Sequence, residues 1–195
     1  MELLVTAGRT LAFSLAAGVN LYATVAVIGL ATRFGVVDLP PQFAAFNNPW
    51  IIGGALALYV VEFVADKVPW VDTLWDTVHT LIRPLGGALI AVSTLGDASP
   101  WLQGLTAIVG GTIAASGHFT KAGTRAAVNL SPEPFTNWFI SLVEDVFVIG
   151  LSLFTLKFPL LALIVSLAIV VMIVWIARKI WRWLKPTPAA DPRIL

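Results

Sequence analysis

The stretch PLLALIVSLAIVVMIVWIA, residues 159–177, contains 19 successive positions without a charged side chain. A helix of about this length crosses a hydrocarbon core roughly 30 Å thick. The residues that follow, RKIWRWLKP at 178–186, combine basic and aromatic side chains, as the cytoplasmic end of a membrane helix commonly does. Over the whole chain 58% of residues are hydrophobic and the mean hydropathy is +0.88, above the values of soluble domains. The sequence therefore predicts an integral membrane protein.

The rest of the composition narrows the classes of partner and cofactor. A formal net charge of +1 gives no basic surface for nucleic acid. The absence of Cys excludes disulfides and thiolate metal ligands, and two His residues do not favour a His-rich metal site. We therefore expect no cofactor and no nucleic-acid partner. The expected partners are the lipid bilayer and a small polar or ionic solute. Whether the protein binds a metal ion is left open by the sequence.

Hydrophobic runs separated by Pro, Gly and charged residues predict an all-α, polytopic membrane helix bundle of about six helical segments. Residues 1–185 form one predicted transmembrane domain, and the Pro-rich residues 186–195 a flexible tail. Three segments contain sequences that should break a helix: AAGVN at 16–20, RPLGG at 83–87 and SGHFTKAG at 116–123. The six segments are predicted at about 3–33, 50–67, 70–96, 100–130, 134–157 and 159–184.

Shifting the sequence by 63 positions indicates an internal two-helix repeat. EFVADKVPWVDTLW at 62–75 then aligns with RAAVNLSPEPFTNW at 125–138, matching one Pro, one Thr and one Trp. Each aligned segment contains a helix end, a proline corner and a new helix start. The repeat units extend over about 50–83 and 113–146.

Loop charges predict the orientation of the chain. If all six segments cross the membrane, both termini share one side with the basic corners near Lys67 and Lys121, which the positive-inside rule places in the cytoplasm. Six crossings would make the repeat parallel, whereas a re-entrant segment would make it inverted. The sequence leaves these alternatives open.

Charged residues are concentrated around Pro69, where one predicted helix ends and the next begins. We call this turn the first proline corner. Because an unpaired charge at the bilayer centre costs about 2.5 to 3.5 kcal/mol, we expect Arg83 to pair with an acid of a neighbouring helix at mid-bilayer depth. Glu144 and Asp145 are the predicted partners, since they lie within two residues of the repeat equivalent of Arg83. Asn20, beside the first break, falls at a comparable place. The candidate site for a solute or ion comprises Arg83, Glu144, Asp145, Asp76, Asn20 and His79.

A second charged layer is predicted nearer the cytoplasm. Glu62 and Asp66 lie four residues apart and share one helix face. We expect them to face Lys121 and Arg125 of the fourth segment. Asn129 and His118 lie on the same face as that basic pair.

Two long motifs resemble a known family. EFVADKVPWVDTLWDTVHTLIRPLGGAL at 62–89 and SGHFTKAGTRAAVNLSPEPFTNWFISLVEDV at 116–146 resemble the bacterial integral membrane proteins of the DUF4126 family, a domain of unknown function. The resemblance covers nearly the whole chain except the tail. It implies a small multi-helix membrane fold in the bacterial inner (cytoplasmic) membrane and leaves the activity open.

The leading functional hypothesis is a transporter or channel for a small polar or ionic solute, based on the repeat, the broken helices and the clustered charge. Glu144, Asp145 and Asp76 would bind a cation or proton, with Arg83 as the counter-charge or anion contact. Asn20 would be a neutral ligand. His79 would shuttle protons or serve as a hydrogen-bonded packing residue.

Two other classes of function fit parts of the pattern. The charges would serve only as ion pairs in a structural or accessory subunit of a membrane complex, with a second copy or another membrane protein as partner. A membrane-embedded enzyme or lipid-headgroup handler would instead use Asp72 and Asp76 to hold a hard cation. No HExxH, P-loop or GxSxG motif is present, so we expect no catalytic residues, and an enzyme is the less favoured class.

Overall fold

The protein folds as an all-α bundle, as the sequence predicted. The structure, a computed structural model, describes residues 1–130 and 134–184; the predicted tail at 186–195 lies outside these residues. Among the described residues there is no strand, and there are seven α-helices and one short 3₁₀ helix at Pro41–Asn47. The α-helices are α1 (Glu2–Val19), α2 (Leu21–Arg33), α3 (Pro49–Ala65), α4 (Pro69–Leu95), α5 (Pro100–Asn129), α6 (Pro134–Lys157) and α7 (Pro159–Leu184).

Proline marks the beginning of every helix from α3 to α7. The first turn of a helix suits proline because its backbone nitrogen needs no hydrogen bond there and its φ angle is already helical. These five prolines explain why most segment boundaries were predictable to within one or two residues.

The predicted break near residue 18 is confirmed at Asn20, which separates α1 from α2. Its backbone is extended, with φ −146° and ψ 101°. The Asn20 backbone N–H still donates to the carbonyl of Ala16 at 2.9 Å, and its side-chain oxygen accepts from the backbone N–H of Ala23 at 2.9 Å. One side chain thus caps the second helix, and the predicted segment 3–33 is two helices.

The breaks predicted at 83–87 and 116–123 are wrong, since α4 and α5 run through both stretches. Gly87 in the first stretch and Gly117 in the second allow close packing between helices. A Cβ atom added at Gly87 would lie 2.3 Å from the Cβ of Ala114, and one added at Gly110 would lie 2.3 Å from the Cβ of Ala91. This packing stabilises the helices although Pro84 removes one backbone donor within α4.

Helix α1 is the centre of the bundle. It packs against α4, α5, α6 and α7, and Ala12, Phe13 and Ala16 are fully buried. Its glycines allow direct backbone contact: a Cβ atom at Gly18 would lie 2.2 Å from the carbonyl oxygen of Ala114 on α5.

Several apolar helices indicate a membrane protein. Within the described residues four are long and apolar enough to cross a bilayer: Glu2–Val19, Pro69–Leu95, Phe135–Lys157 and Pro159–Trp183. A fifth is obtained if Pro41–Asn47 and Pro49–Ala65, bent by 63°, form one broken span. The number of candidate spans is therefore four or five. The choice between a parallel and an inverted repeat stays a prediction.

Gly18→Ala is expected to lower the free energy of unfolding by about 1 to 3 kcal/mol, because the new methyl group would push the α1 and α5 backbones apart. Thermal unfolding of the detergent-solubilised protein measures this loss. Gly123→Ala in α5 is the matched control, since no atom of another described segment lies within 4 Å of its added Cβ, and it should be neutral or slightly stabilising. Equal melting temperatures for both variants would contradict the packing role.

Candidate functional site

Nine charged side chains from α3 to α6 form a buried network, which we call the charged cluster. The first proline corner positions it: α3 ends beside the start of α4, so acids of both helices face α5. Glu62, Asp72, Arg83 and Arg125 are each no more than 1% exposed. The cluster comprises the acids Glu62, Asp66, Asp72, Asp76, Glu144 and Asp145 and the cations Arg83, Lys121 and Arg125.

Arg83 lies at one end of the charged cluster. Its Nη2 is 2.8 Å from Glu62 Oε1, and its Nη1 is 2.9 Å from Asp76 Oδ1. The predicted pairing of Arg83 with Glu144 or Asp145 is therefore wrong. Residues at equivalent depth in the two repeat units are not neighbours here. Glu144 of α6 faces the cations of α5 instead. Arg83 pairs with Asp76, which lies two turns away on the same face of α4.

The predicted pairing of Glu62 and Asp66 with Lys121 is confirmed. The Nζ atom of Lys121 is 3.1 Å from Glu62 Oε1 and 2.9 Å from Asp66 Oδ2. Because Glu62 Oε1 also accepts from Arg83, the two predicted layers share one carboxylate oxygen. They form a single continuous cluster.

Arg125 joins the two helix corners. Its Nε lies 3.2 Å from Asp72 Oδ2, so its carboxylate partner is Asp72, and the expected pairing with the Glu62 and Asp66 carboxylates is not found. It donates to the backbone carbonyl of Asp66 and, at 2.8 Å, to that of Asn137. The side chain of Asn137 also donates to the Asp66 carbonyl, at 3.3 Å.

Two amides support this joint between the corners. Asn129 Nδ2 donates to Asp72 Oδ2 at 2.9 Å and to the carbonyl of Pro69 at 3.2 Å. The sequence placed Asn129 beside the cations but missed Asn137, which is 2% exposed. Its position in the sequence could have indicated this role. Asn137 is a lone amide in a strongly apolar helix, where a polar side chain needs a hydrogen-bonding partner.

The two histidines have different environments. His79 Nδ1 donates to the carbonyl of Trp75 at 2.7 Å, so its Nε2 accepts from the Tyr22 hydroxyl at 2.8 Å. This ring is stacked on Trp75 with centroids 4.5 Å apart, an arrangement that fits a packing role. His118 belongs to the cluster instead: its Nδ1 accepts from Arg83 at 2.9 Å, and its Nε2 donates to the Thr80 hydroxyl at 3.1 Å.

Glu144 and Asp145 of α6 lie at the opposite end of the cluster from Arg83. Glu144 Oε2 is 3.8 Å from Lys121 Nζ and 3.9 Å from Arg125 Nε, beyond hydrogen-bond distance. Asp145 Oδ1 accepts from the side chain of Asn20 at 3.3 Å. The helix break is thus in contact with Asp145 of α6.

Acids outnumber cations in the cluster by six to three within residues 1–130 and 134–184. Lys67 at the corner adds a fourth nearby cation, since it interacts electrostatically with Asp145 and Asp66, and its ammonium also contacts the Phe63 carbonyl and the Ser141 hydroxyl. With Lys67 included, the acids of the described residues still exceed the cations by six to four. Burying unpaired carboxylates costs several kcal/mol each, so protons or bound cations must balance part of the excess. Four buried carboxylate oxygens have no donor within hydrogen-bond distance among these residues: Glu62 Oε2, Asp66 Oδ1, Glu144 Oε2 and Asp145 Oδ2.

Two cavities border the cluster on opposite sides of α5. The first, which we call the polar cleft, lies between α4 and α5, has a volume of about 230 Å³ and contains Asp72, Asp76, His118, Arg125 and Asn129 in its lining. The second, which we call the apolar cavity, lies among α1, α5, α6 and α7. Its volume is about 540 Å³, and Lys121 and Glu144 are its charged lining residues.

A metal site is not evident in the described part of the chain, which contains no group of three or more His, Cys, Asp or Glu side chains suited to a metal ion. Asp72 and Asp76, the acids that an enzyme would use for a hard cation, contact Arg125 and Arg83. The geometry therefore adds no support to the enzyme hypothesis.

The family assignment rests on a match over residues 7–179 to the model of Domain of unknown function (DUF4126). The chain belongs to this family. The matched range contains the whole charged cluster and both cavities. No curated protein and no solved structure matches the chain. Because the family description gives no activity, the functional argument depends on the chemistry of the site.

Proposed function

We propose that this DUF4126 protein is a transporter or channel of the bacterial inner membrane for a small ionic solute, with cations favoured over anions. The observation that carries the proposal is the excess of buried carboxylates in the charged cluster, which borders the polar cleft through Asp72 and Asp76. Cations or protons are the species that such a site attracts, because they lower the cost of burying the excess charge.

The cluster is poorly suited to a purely structural role. Apolar side chains of similar volume would hold helices together without the cost of desolvating charge. Ionisable residues inside membrane helices usually line a pathway for ions or protons. A solute or proton that enters and leaves explains why four carboxylate oxygens have no donor within hydrogen-bond distance among the described residues.

The two cavities suggest the route. Asp76 and Arg125 line the polar cleft, whereas Lys121 and Glu144 line the apolar cavity. The charged side chains between them form one layer that a solute would have to pass. In this proposal Asp76, Glu144 and Asp145 bind the cation or proton, Arg83 supplies the counter-charge, and Asn20 is a neutral ligand.

The break at Asn20 supports the same proposal. Transporters commonly place ion sites at interrupted helices, where backbone groups and the end of a helix dipole face the ion. Here the interruption lies beside Asp145, whose Oδ2 accepts no hydrogen bond in the described residues. Asn20 ends α1 and begins α2, so the partial charges of the two helix ends oppose each other there, and the preference for a cation comes from the Asp145 carboxylate.

Flux measurements in liposomes test the proposal. The purified full-length chain should accelerate the movement of at least one species among H⁺, Na⁺, K⁺ and small organic cations over protein-free liposomes. pH-sensitive dyes and isotope uptake provide the readout. If no species in this panel moves faster than in protein-free liposomes, the transport proposal fails.

A further inference from the structure

The apolar cavity has hydrocarbon walls and a charged floor, which Lys121 and Glu144 form. Its walls are hydrocarbon from four helices, including Leu15, Val19, Ile140, Phe147, Ile169 and Ile173. Its volume of about 540 Å³ lies within the range of small-molecule binding sites, roughly 300 to 1,000 Å³. The cavity can therefore hold the apolar body of a small organic molecule.

The charged floor distinguishes one class of head group. The ammonium of Lys121 is occupied by Glu62 and Asp66, at 3.1 and 2.9 Å. Glu144 Oε2 accepts no hydrogen bond within the described residues, and its two nearest cationic nitrogens lie 3.8 and 3.9 Å away. Glu144 is therefore the floor residue that can accept a new donor.

We propose that the apolar cavity binds a protonated amine carried on an apolar body, with the ammonium group hydrogen-bonded to Glu144. Such a ligand satisfies the free oxygen and reduces the negative excess of the charged cluster. An anionic amphiphile would increase that excess, and an uncharged hydrocarbon would leave Glu144 without a donor. This site is separate from the polar cleft, and its ligand need not be the transported solute.

Direct binding to the full-length chain in nanodiscs tests the site. The probes are 4-phenylbenzylamine, the uncharged 4-phenylbenzyl alcohol and the anionic biphenyl-4-carboxylate, which share one apolar body. We expect saturable binding of the amine at least about tenfold tighter than that of either analogue, a difference of about 1.4 kcal/mol. Equal binding of all three probes, preference for the anion, or no saturable binding would each overturn the proposal.

Two variants locate the site. Glu144→Gln should weaken binding of the amine about tenfold and leave binding of the alcohol unchanged, while Glu2→Gln, which alters an exposed acid, should change neither. Val143→Trp fills the cavity from its wall without altering a charge, so it should weaken both the amine and the alcohol. Unchanged amine binding in both Glu144→Gln and Val143→Trp would place the amine elsewhere and overturn the proposal. No ion gradient is present, so this result is independent of the flux experiment.

Discussion

Arg83→Ala is expected to destabilise the protein by about 3 to 5 kcal/mol, the usual cost of removing one partner from a buried ion pair. The guanidinium holds Glu62 at 2.8 Å and Asp76 at 2.9 Å. Without it, both carboxylates would be buried with less compensation in a cluster that already has too few cations. Protonation of one acid would limit the loss without removing it, because the space left by the side chain would remain.

Thermal unfolding in detergent measures this loss of stability. The two controls remove an exposed cation and a buried acid. Arg33→Ala removes an exposed arginine at the end of α2 and should cost less than about 1 kcal/mol. Asp145→Asn removes one of the excess acids, so it should cost far less than Arg83→Ala. If the loss of the acid were as damaging as the loss of the cation, the imbalance of charge inferred for the cluster would be wrong.

Asp76→Asn is expected to reduce ion flux in liposomes by about tenfold or more, equivalent to about 1.4 kcal/mol. Asp76 lines the polar cleft and is 5% exposed. The amide keeps the shape of the side chain and removes the charge that would attract a cation. We expect the fold to be retained, because Arg83 still has Glu62 as a partner.

Asp97→Asn is the matched control for this experiment. Asp97 is exposed near the end of α4, away from the cleft lining, so its flux should equal that of the unaltered protein. Circular dichroism of the reconstituted samples verifies that both variants are helical. Undiminished flux in a folded Asp76→Asn protein would exclude Asp76 from the pathway.

Much of the architecture was predictable because local chemistry determines it. A proline opens each helix from α3 onward, and the polar side chain of Asn20 replaces the backbone bonds lost at the first break. The helical spacing of Glu62 and Asp66 was sufficient to predict that both would face Lys121. The alignment of units 50–83 and 113–146 stays a prediction, and its Pro132 lies outside the described residues.

The wrong predictions concern contacts between helices, which depend on how the helices pack and not on the local sequence. The sequence paired Arg83 of α4 with Glu144 or Asp145 of α6 because these residues lie at equivalent depth in the two repeat units. In the structure α5 lies between the two helices. Gly87 and Gly117 indicated helix breaks by their local conformational freedom, whereas their close approach to Ala114 and to the backbone of Leu15 gives them a packing role. The hydrogen bond from Tyr22 to His79 joins residues 57 positions apart, and no local pattern indicates it.

The joint between the two proline corners has a mechanical consequence. The Asp66 carbonyl accepts from both Arg125 and Asn137, and the Lys67 carbonyl accepts from the Trp138 indole at 3.3 Å. The end of α3 therefore cannot swing away from α5 and α6 without rupturing several bonds at once. We therefore expect any rearrangement of the bundle to carry the end of α3, the end of α5 and the start of α6 together as one body.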